Sequence, residues 1–182
     1  MFEIVIYGRG GQGNVTAAEI LAAAAFEDGL YCQAYPFFGS ERMGSPVQAY
    51  VRLNREPIRL RTQIKSADVL IIQDETLVGN GAGAPVVKPT GMIIANSRKR
   101  RGELALPVEV WTVPALQIAQ ELIGRPSVNV VMLGAFAAAT GVVSLGAIEQ
   151  AARRRFPGPV GEHNCEAARR AYQIVAEQRK GL

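Results

Sequence analysis

The stretch that most constrains this chain is IVIYGRGGQG at residues 4–13, an apolar run that turns abruptly into four glycines within six residues. The preceding residues, Phe2–Tyr7, are apolar and β-rich, which predicts a buried first strand. The following NVTAAEILAAAAFEDG is rich in Ala and Leu, which predicts a helix that ends near Gly29. Strand, glycine-rich turn and helix in this order indicate the first unit of an α/β sheet protein.

Further short apolar runs bounded by turn residues predict the other strands. They are YCQAY ended by Pro36, VQAYVRL, ADVLIIQDE, GMIIANS and VEVWTVPA. The turn-like NREP and the short IRLR that follows it predict an antiparallel hairpin over Val47–Arg61. The rest of the sheet is expected to be mainly parallel, because its strands alternate with helical segments.

The chain becomes helical after Pro126, with three segments of helical spacing and a PGPVG loop before the last one. Ser144 is the expected N-cap of the second segment, and Ala168, Tyr172 and Val175 give the third an apolar face. The predicted fold class is therefore α/β: a mainly parallel sheet with flanking helices, a short antiparallel hairpin and a helical C-terminal third. We expect residues 1–182 to form a single domain, since no linker or repeat divides them.

The carboxyl ends of parallel strands meet at one edge of a sheet, where ligands of α/β proteins bind. In this chain those ends are expected at Gly8, Pro36, Asp74, Asn96 and Val113. The glycine turn, the loop Pro36–Pro46 and Asp74 should therefore lie along the same edge.

The glycine turn fits the pattern G-x-G-x-x-G through Gly8, Gly10 and Gly13, and it stands between a strand and a helix. A dinucleotide site also needs an acidic residue at the end of the second strand, but that position reads AYPFF. Three interpretations stay open at this point. The turn binds NAD(P), it binds another phosphate or carboxylate ligand, or it serves packing or an interface.

Arg9 and Gln12 favour a ligand, because a packing turn has no need of a cation and an amide. The candidate anion site comprises Arg9, Gly10, Gly11, Gln12 and Gly13, at a helix N-terminus with free N–H groups. The alternative for Arg9 is an exposed side chain or an ion pair to a partner subunit.

The loop Pro36–Pro46 is a candidate interface, since aromatic, Arg and Met residues are enriched at the centres of interfaces. Its candidate contact residues are Phe37, Phe38, Glu41 and Arg42. Alternatively, the two phenylalanines face the core and the two charged residues are solvated. Asp74 and Glu75 can hold a hydroxyl or a cation, although acids at a strand end more often cap the next helix.

The residues with reactive side chains are too few for a complete active site. Cys32 and Cys165 are the only cysteines and His163 is the only histidine, so the chain alone cannot supply the ligands of an iron–sulfur cluster or a usual zinc site. No set of nucleophile, base and orienting residue is recognisable, and we predict no catalytic residue and no metal site. No apolar run is long enough to span a membrane and no signal peptide is visible, so we expect a cytoplasmic protein.

The segments GRGGQG and FGSERMGSP, together with ADVLIIQDETL and NVVMLGAFAAATGVVSL, give the chain its family resemblance. It resembles the gamma subunit, or gamma domain, of 2-oxoacid:acceptor oxidoreductases, the pyruvate:ferredoxin oxidoreductase group. The resemblance covers nearly the whole chain. It implies a Rossmann-like domain without clusters that packs on thiamine-binding subunits and is a candidate to help bind coenzyme A (CoA).

The resemblance also implies that the complete enzyme oxidatively decarboxylates a 2-oxoacid to an acyl-CoA and passes electrons to ferredoxin or NAD. Thiamine diphosphate, Mg and [4Fe-4S] clusters would belong to alpha, beta and delta-type subunits, and we expect no nucleic-acid or membrane partner. The rival hypotheses are an independent nucleotide-binding reductase and an assembly scaffold without a ligand. The resemblance leaves the particular 2-oxoacid and the electron acceptor open.

Overall fold

The structure, a computed structural model, describes residues 1–37, 45–79, 84–104 and 106–181. In these residues six strands form one sheet in the order β2-β3-β1-β4-β5-β6. The strands are β1 Phe2–Arg9, β2 Tyr31–Phe37, β3 Pro46–Asn54, β4 Ala67–Ile72, β5 Val87–Asn96 and β6 Glu109–Val113. The helices are α1 Asn14–Glu27, α2 Ala115–Leu122, α3 Asn129–Thr140, α4 Leu145–Arg155 and α5 Pro159–Lys180.

The predicted α/β fold class is confirmed. β1, β4, β5 and β6 pair in parallel, and β3 is antiparallel to both of its neighbours, β1 and β2. Within the described sheet β3 alone therefore runs opposite to the other strands, and the antiparallel pairings are β1–β3 and β2–β3. The C-terminal third is helical, as predicted.

Two of the strand predictions were wrong. Ile58–Arg61 forms no strand; β2 and β1 already occupy both edges of β3, so a return strand has no place to pair. Pro36 does not end β2, which continues to Phe37. β2 is an edge strand with a neighbour on one side only. Proline is tolerated in such a strand, because no strand on the open side needs its missing N–H as a donor.

The side chains of the central strands alternate between two apolar clusters. Ile4 and Ile6 of β1 face the cluster that contains side chains of the five helices described, whereas Val5 and Tyr7 face the opposite side. There the sheet is covered by connecting segments, with Ile64 among the buried residues. The helical layer thus lies on one face of the sheet.

Helices α3 and α5 form the tightest contact in this layer. A Cβ added at Gly134 of α3 would overlap the backbone carbonyl of Ala168 in α5, so only glycine permits this approach. Ser144 caps α4 as predicted, because its Oγ accepts a hydrogen bond of 3.1 Å from the N–H of Ala147. α5 begins at Pro159, inside the segment predicted as a loop, since proline is well suited to the first position of a helix.

Candidate functional site

The glycine turn, the end of the neighbouring loop and Asp74 meet at the carboxyl edge of the sheet, as predicted. The N–H of Gly10 donates to the carbonyl of Ser45 at 3.0 Å. The side-chain amide of Gln12 donates to Asp74 Oδ2 at 2.8 Å. The predicted edge is therefore confirmed for the residues that the structure describes here.

The four glycines of the turn have two different tasks. A Cβ at Gly8 would overlap Asn14 Oδ1, and one at Gly13 would lie 2.9 Å from Asn129 Nδ2, so these two positions serve close packing. Gly13 also has a φ of 77°, which favours glycine, and occupies the N-cap position of α1. Gly10 and Gly11, together with Gln12, line an open cleft. The packing role and the ligand-facing role thus fall on different residues of one motif.

The side chain of Arg9 contacts the residues that follow β4. Its guanidinium lies 3.4 Å from Asp74 Oδ2 and donates to Thr76 Oγ1 at 2.7 Å. Gln12 Oε1 accepts a hydrogen bond of 2.7 Å from the N–H of Arg9. Arg9 thus forms an ion pair, but its partner is Asp74 of the same chain and not a residue of another subunit. An anion at the turn stays a prediction, and Arg9 would have to share its charge with Asp74.

Asp74 is ionised at neutral pH. Burial raises the pKa of its carboxyl group, but hydrogen bonds from Thr76 and Gln12 and the charge of Arg9 outweigh burial, and the net pKa is lowered. The carboxylate also accepts from the backbone N–H of Thr76 at 3.0 Å and caps the 3-10 turn Glu75–Leu77. The capping role that acids at a strand end usually have is thus confirmed for Asp74.

The cleft between the glycine turn and α2 has a volume of ≈ 720 Å³. Its polar side is formed by the turn and by the residues that follow β4 and β5, and its apolar side by residues at and after α2. The polar lining residues include Gln73, Asp74, Thr76, Asn96 and Arg98, and the apolar ones are Pro114, Leu116, Pro126 and Val128. A cleft of this volume, lined by both polar and apolar residues, suits an amphipathic ligand.

Gln73 is the unusual residue of this lining. Its side chain is 1% exposed, and neither its amide oxygen nor its amide nitrogen has a hydrogen-bond partner among the described residues. Asn14 Oδ1 is also buried without a hydrogen-bond partner among the described residues. Asn96, by contrast, donates to the carbonyl of Gln73 at 2.9 Å and accepts from the N–H of Leu116 at 3.2 Å. Unpaired buried amides are costly, which indicates that a ligand or water completes this layer.

The sheet order argues against a dinucleotide site. In a dinucleotide domain the strand next to β1 runs parallel to it and carries the acidic ribose contact at its carboxyl end. Here that neighbour is the antiparallel β3, which brings Pro46 opposite Arg9. The lack of an acidic residue at the end of β2 and the antiparallel direction of β3 thus both argue against a dinucleotide site.

The reactive side chains lie away from the cleft. His163 is exposed and Cys165 is buried in α5, where burial raises the pKa of its thiol. Within the described ranges, no group of three or more His, Cys, Asp or Glu side chains comes together to hold a metal ion. Of the helices described, none has the length and apolar character needed to cross a membrane.

The candidate interface loop is described only at its ends. Phe37 is 37% exposed at the end of β2, and its ring lies 5.5 Å from that of Tyr50 between centroids. Phe38, Glu41 and Arg42 lie outside the described residues. The interface assignment of all four residues stays a prediction.

Sequence reasoning missed Gln73. The available signal was a polar residue directly after the apolar run of β4, at a strand end that was expected to face a ligand. Sequence reasoning also assigned no function to the basic segment Arg98–Arg100.

A glycine turn between strand and helix, opening on a cleft at the carboxyl edge of a mainly parallel sheet, defines a Rossmann-like α/β domain. The chain belongs to the pyruvate ferredoxin/flavodoxin oxidoreductase family, whose model matches residues 3–174. The family resemblance recognised in the sequence is thereby confirmed.

The relatives are gamma-type subunits of similar length. The chain is 48% identical over 183 residues to pyruvate synthase subunit PorC of Methanothermobacter thermautotrophicus, with 100% of both chains covered. It is 44% identical over 178 residues to the pyruvate/ketoisovalerate oxidoreductases common subunit gamma of Pyrococcus furiosus, covering 95% of this chain and 96% of that one. The crystal structure of pyruvate oxidoreductase subunit PORC from Thermotoga maritima matches with a TM-score of 0.82 and 35% identity, over 95% of this chain and 96% of that one. The chain is thus an oxidoreductase subunit of the gamma type.

Proposed function

We propose that this chain works in a CoA-acylating 2-oxoacid:ferredoxin oxidoreductase, with pyruvate as the first substrate to test. In this reaction the 2-oxoacid loses CO2, its acyl group forms a thioester with the thiol of CoA, the thiol proton is released, and the electron pair passes to ferredoxin. The names of the relatives support pyruvate, and the family description supports ferredoxin or flavodoxin as acceptor. NAD as acceptor is the less favoured alternative.

The part of this function that we assign to the chain itself is the binding of CoA in the cleft at the carboxyl edge. The observation that carries the assignment is the unpaired amide of Gln73 in the lining of a ≈ 720 Å³ cleft. The pantetheine arm of CoA carries amide groups, each with one donor and one acceptor, which are the partners that a primary amide lacks here. The apolar wall at Leu116 and Val128 suits the methylene groups of the same arm.

The glycine turn is the other wall of the proposed CoA site. Gly10 and Gly11 have no side chains, so a ligand can approach their backbone closely. Gln12 and Arg9 hold the turn in place through Asp74. In this proposal the turn shapes the cleft. Arg9 offers the ligand only part of its positive charge, because it is paired with Asp74.

The remaining chemistry is assigned to partner subunits. Two cysteines on separate elements, Cys32 in β2 and Cys165 in α5, cannot supply the four thiolates of a [4Fe-4S] cluster. We therefore place the clusters, thiamine diphosphate and Mg on alpha, beta and delta-type partners. The exposed ring of Phe37, which packs on Tyr50, is the described part of the proposed contact surface.

The experiment that tests this function is purification of the full chain, with an affinity tag, from the cells that produce it. We expect co-purifying subunits, bound iron and thiamine diphosphate, and pyruvate-dependent reduction of ferredoxin that requires CoA. The substitution Phe37→Ala should lower the yield of partner subunits, whereas Phe26→Ala, at an exposed phenylalanine of α1, should not. Purification of an isolated chain that turns over 2-oxoacid by itself would contradict the proposal.

A further inference from the structure

The segment Arg98–Arg100, directly after β5, carries three exposed cationic side chains. No ion pair or side-chain hydrogen bond joins Arg98, Lys99 or Arg100 to another described residue, unlike Arg9, which is paired with Asp74. The segment itself is ordered by Ser97, whose Oγ accepts from the N–H of Lys99 at 3.1 Å and donates to Glu75 Oε1 at 2.8 Å. The unpaired cations thus stand on a backbone that is tied to the cleft.

A second cavity of ≈ 420 Å³ lies between this segment and α5. None of its described lining residues carries a carboxylate, whereas Asp74 and Glu75 line the first cleft. The second cavity is therefore a more favourable place for a polyanion than the first cleft, because its described lining residues include cations and no carboxylate.

The two cavities are neighbours, since Arg98 and Pro114 line both of them. Gln178 of α5 adds a polar group to the second one. Its amide nitrogen donates to the carbonyl of Thr112 at 2.7 Å, while its buried amide oxygen has no partner among the described residues. A hydroxyl group on a ligand would satisfy that oxygen. Ile174 supplies an apolar surface beside it.

We infer that the phosphate-bearing nucleoside end of the ligand binds along Arg98–Arg100, against the C-terminal part of α5. The rest of the ligand runs past Pro114 into the first cleft, where the unpaired amide of the deeply buried Gln73 meets it. The inference rests on the proposed binding of CoA to this chain and assigns its phosphates to the basic segment. The glycine turn then contacts the arm of the ligand, close to Asp74, and not its phosphates.

The test is calorimetric titration of the assembled enzyme with CoA and with pantetheine, which lacks the nucleotide. One triple variant replaces Arg98, Lys99 and Arg100 by Gln. The control replaces Arg59, Arg61 and Lys65 by Gln, which removes the same charges from exposed positions outside both cavities. We expect the first triple variant to weaken CoA binding at least about 10-fold, to reduce its salt dependence and to leave pantetheine binding unchanged. The control should bind CoA like the unmodified enzyme.

The variant Gln73→Leu separates the inference from the function on which it rests. If Gln73→Leu weakens CoA binding and the first triple variant does not, the placement of the phosphates is wrong while the cleft keeps its role. If neither variant changes CoA binding, both the placement and the assignment of CoA to this chain are wrong. Equal weakening of CoA and pantetheine by the triple variant would also overturn the placement.

Discussion

The side-chain amide of Gln12 donates a 2.8 Å hydrogen bond to Asp74 Oδ2 and thereby joins the glycine turn after β1 to the residues that follow β4. Arg9 reaches the same carboxylate from the other side of the turn at 3.4 Å. Asp74 in turn caps the 3-10 turn that begins at Glu75. One carboxylate therefore joins two segments of the cleft lining.

Replacement of Asp74 by Asn should destabilise the protein in a pH-dependent way. Because the folded-state pKa of Asp74 is lowered below the ordinary value of 3.8, its stabilisation is present above that value and is lost as the pH falls through the folded-state pKa. At pH 7 we expect Asp74→Asn to lower the free energy of unfolding by about 1–2 kcal/mol. The difference from the unmodified protein should shrink below pH 3.8.

Urea unfolding at a series of pH values measures this effect. Glu56→Gln is the matched control, because it removes an exposed carboxylate whose side chain makes no hydrogen bond to another described residue. A constant stability difference between Asp74→Asn and the unmodified protein from neutral to acidic pH would mean that the carboxylate charge contributes nothing.

The fold was predictable where the signals are local. β1, the glycine turn and α1 follow from one continuous stretch of sequence, and the cap at Ser144 follows from a single residue and the helix after it. The partners of β3 were not predictable in the same way, because strand pairing is decided by distant segments. Its local neighbour Ile58–Arg61 looked suitable, but β1 and β2 occupy both of its edges.

The sequence predicted where the site lies in the fold, but not the side-chain contacts within it. Strand ends placed the glycine turn and Asp74 at one edge, since that follows from parallel pairing. The pairing of Arg9 with Asp74 depends on side-chain directions that the pattern does not contain. The buried, unpaired state of Gln73 depends on how the helices cover the end of β4.

The buried amide of Gln73 should be a site where stability and function oppose each other. Gln73→Leu replaces two unpaired buried polar atoms by apolar ones of similar volume, so we expect the free energy of unfolding without ligand to rise by roughly 1 kcal/mol. The same substitution should weaken CoA binding, because the proposed amide partner is lost. Thermal unfolding with and without CoA measures both effects.

Gln150→Leu is the control for this prediction, because Gln150 is an exposed residue of α4. It should change neither the unfolding free energy nor the CoA response by a comparable amount. A large loss of stability in Gln73→Leu would indicate that ordered water already satisfies the amide, and the argument for a ligand there would lose its basis.

NADH and NADPH should not bind to the isolated chain. The parallel strand beside β1 normally presents an acid to the ribose 2′-hydroxyl of NADH, or has an Arg near it for the 2′-phosphate of NADPH. Here the antiparallel β3 presents Pro46 at that edge instead. Calorimetric titration of the full chain should give no saturable heat with either cofactor. Saturable binding at micromolar concentration would revive the interpretation as an independent nucleotide-binding reductase.

Two glycine-to-alanine substitutions should have opposite effects on stability. At Gly134 an added Cβ would overlap the carbonyl oxygen of Ala168, a backbone atom that cannot move without shifting α5, so Gly134→Ala should destabilise by roughly 1–3 kcal/mol. At Gly146, inside α4, the added Cβ meets no described atom within 4 Å. Gly146→Ala should therefore stabilise by up to about 1 kcal/mol, because alanine is the better helix former. The midpoints of urea unfolding of the two variants measure this contrast. Both changes add the same methyl group to a helix, so a difference in sign reflects the contact between α3 and α5. Equal effects would mean that the two helices separate easily.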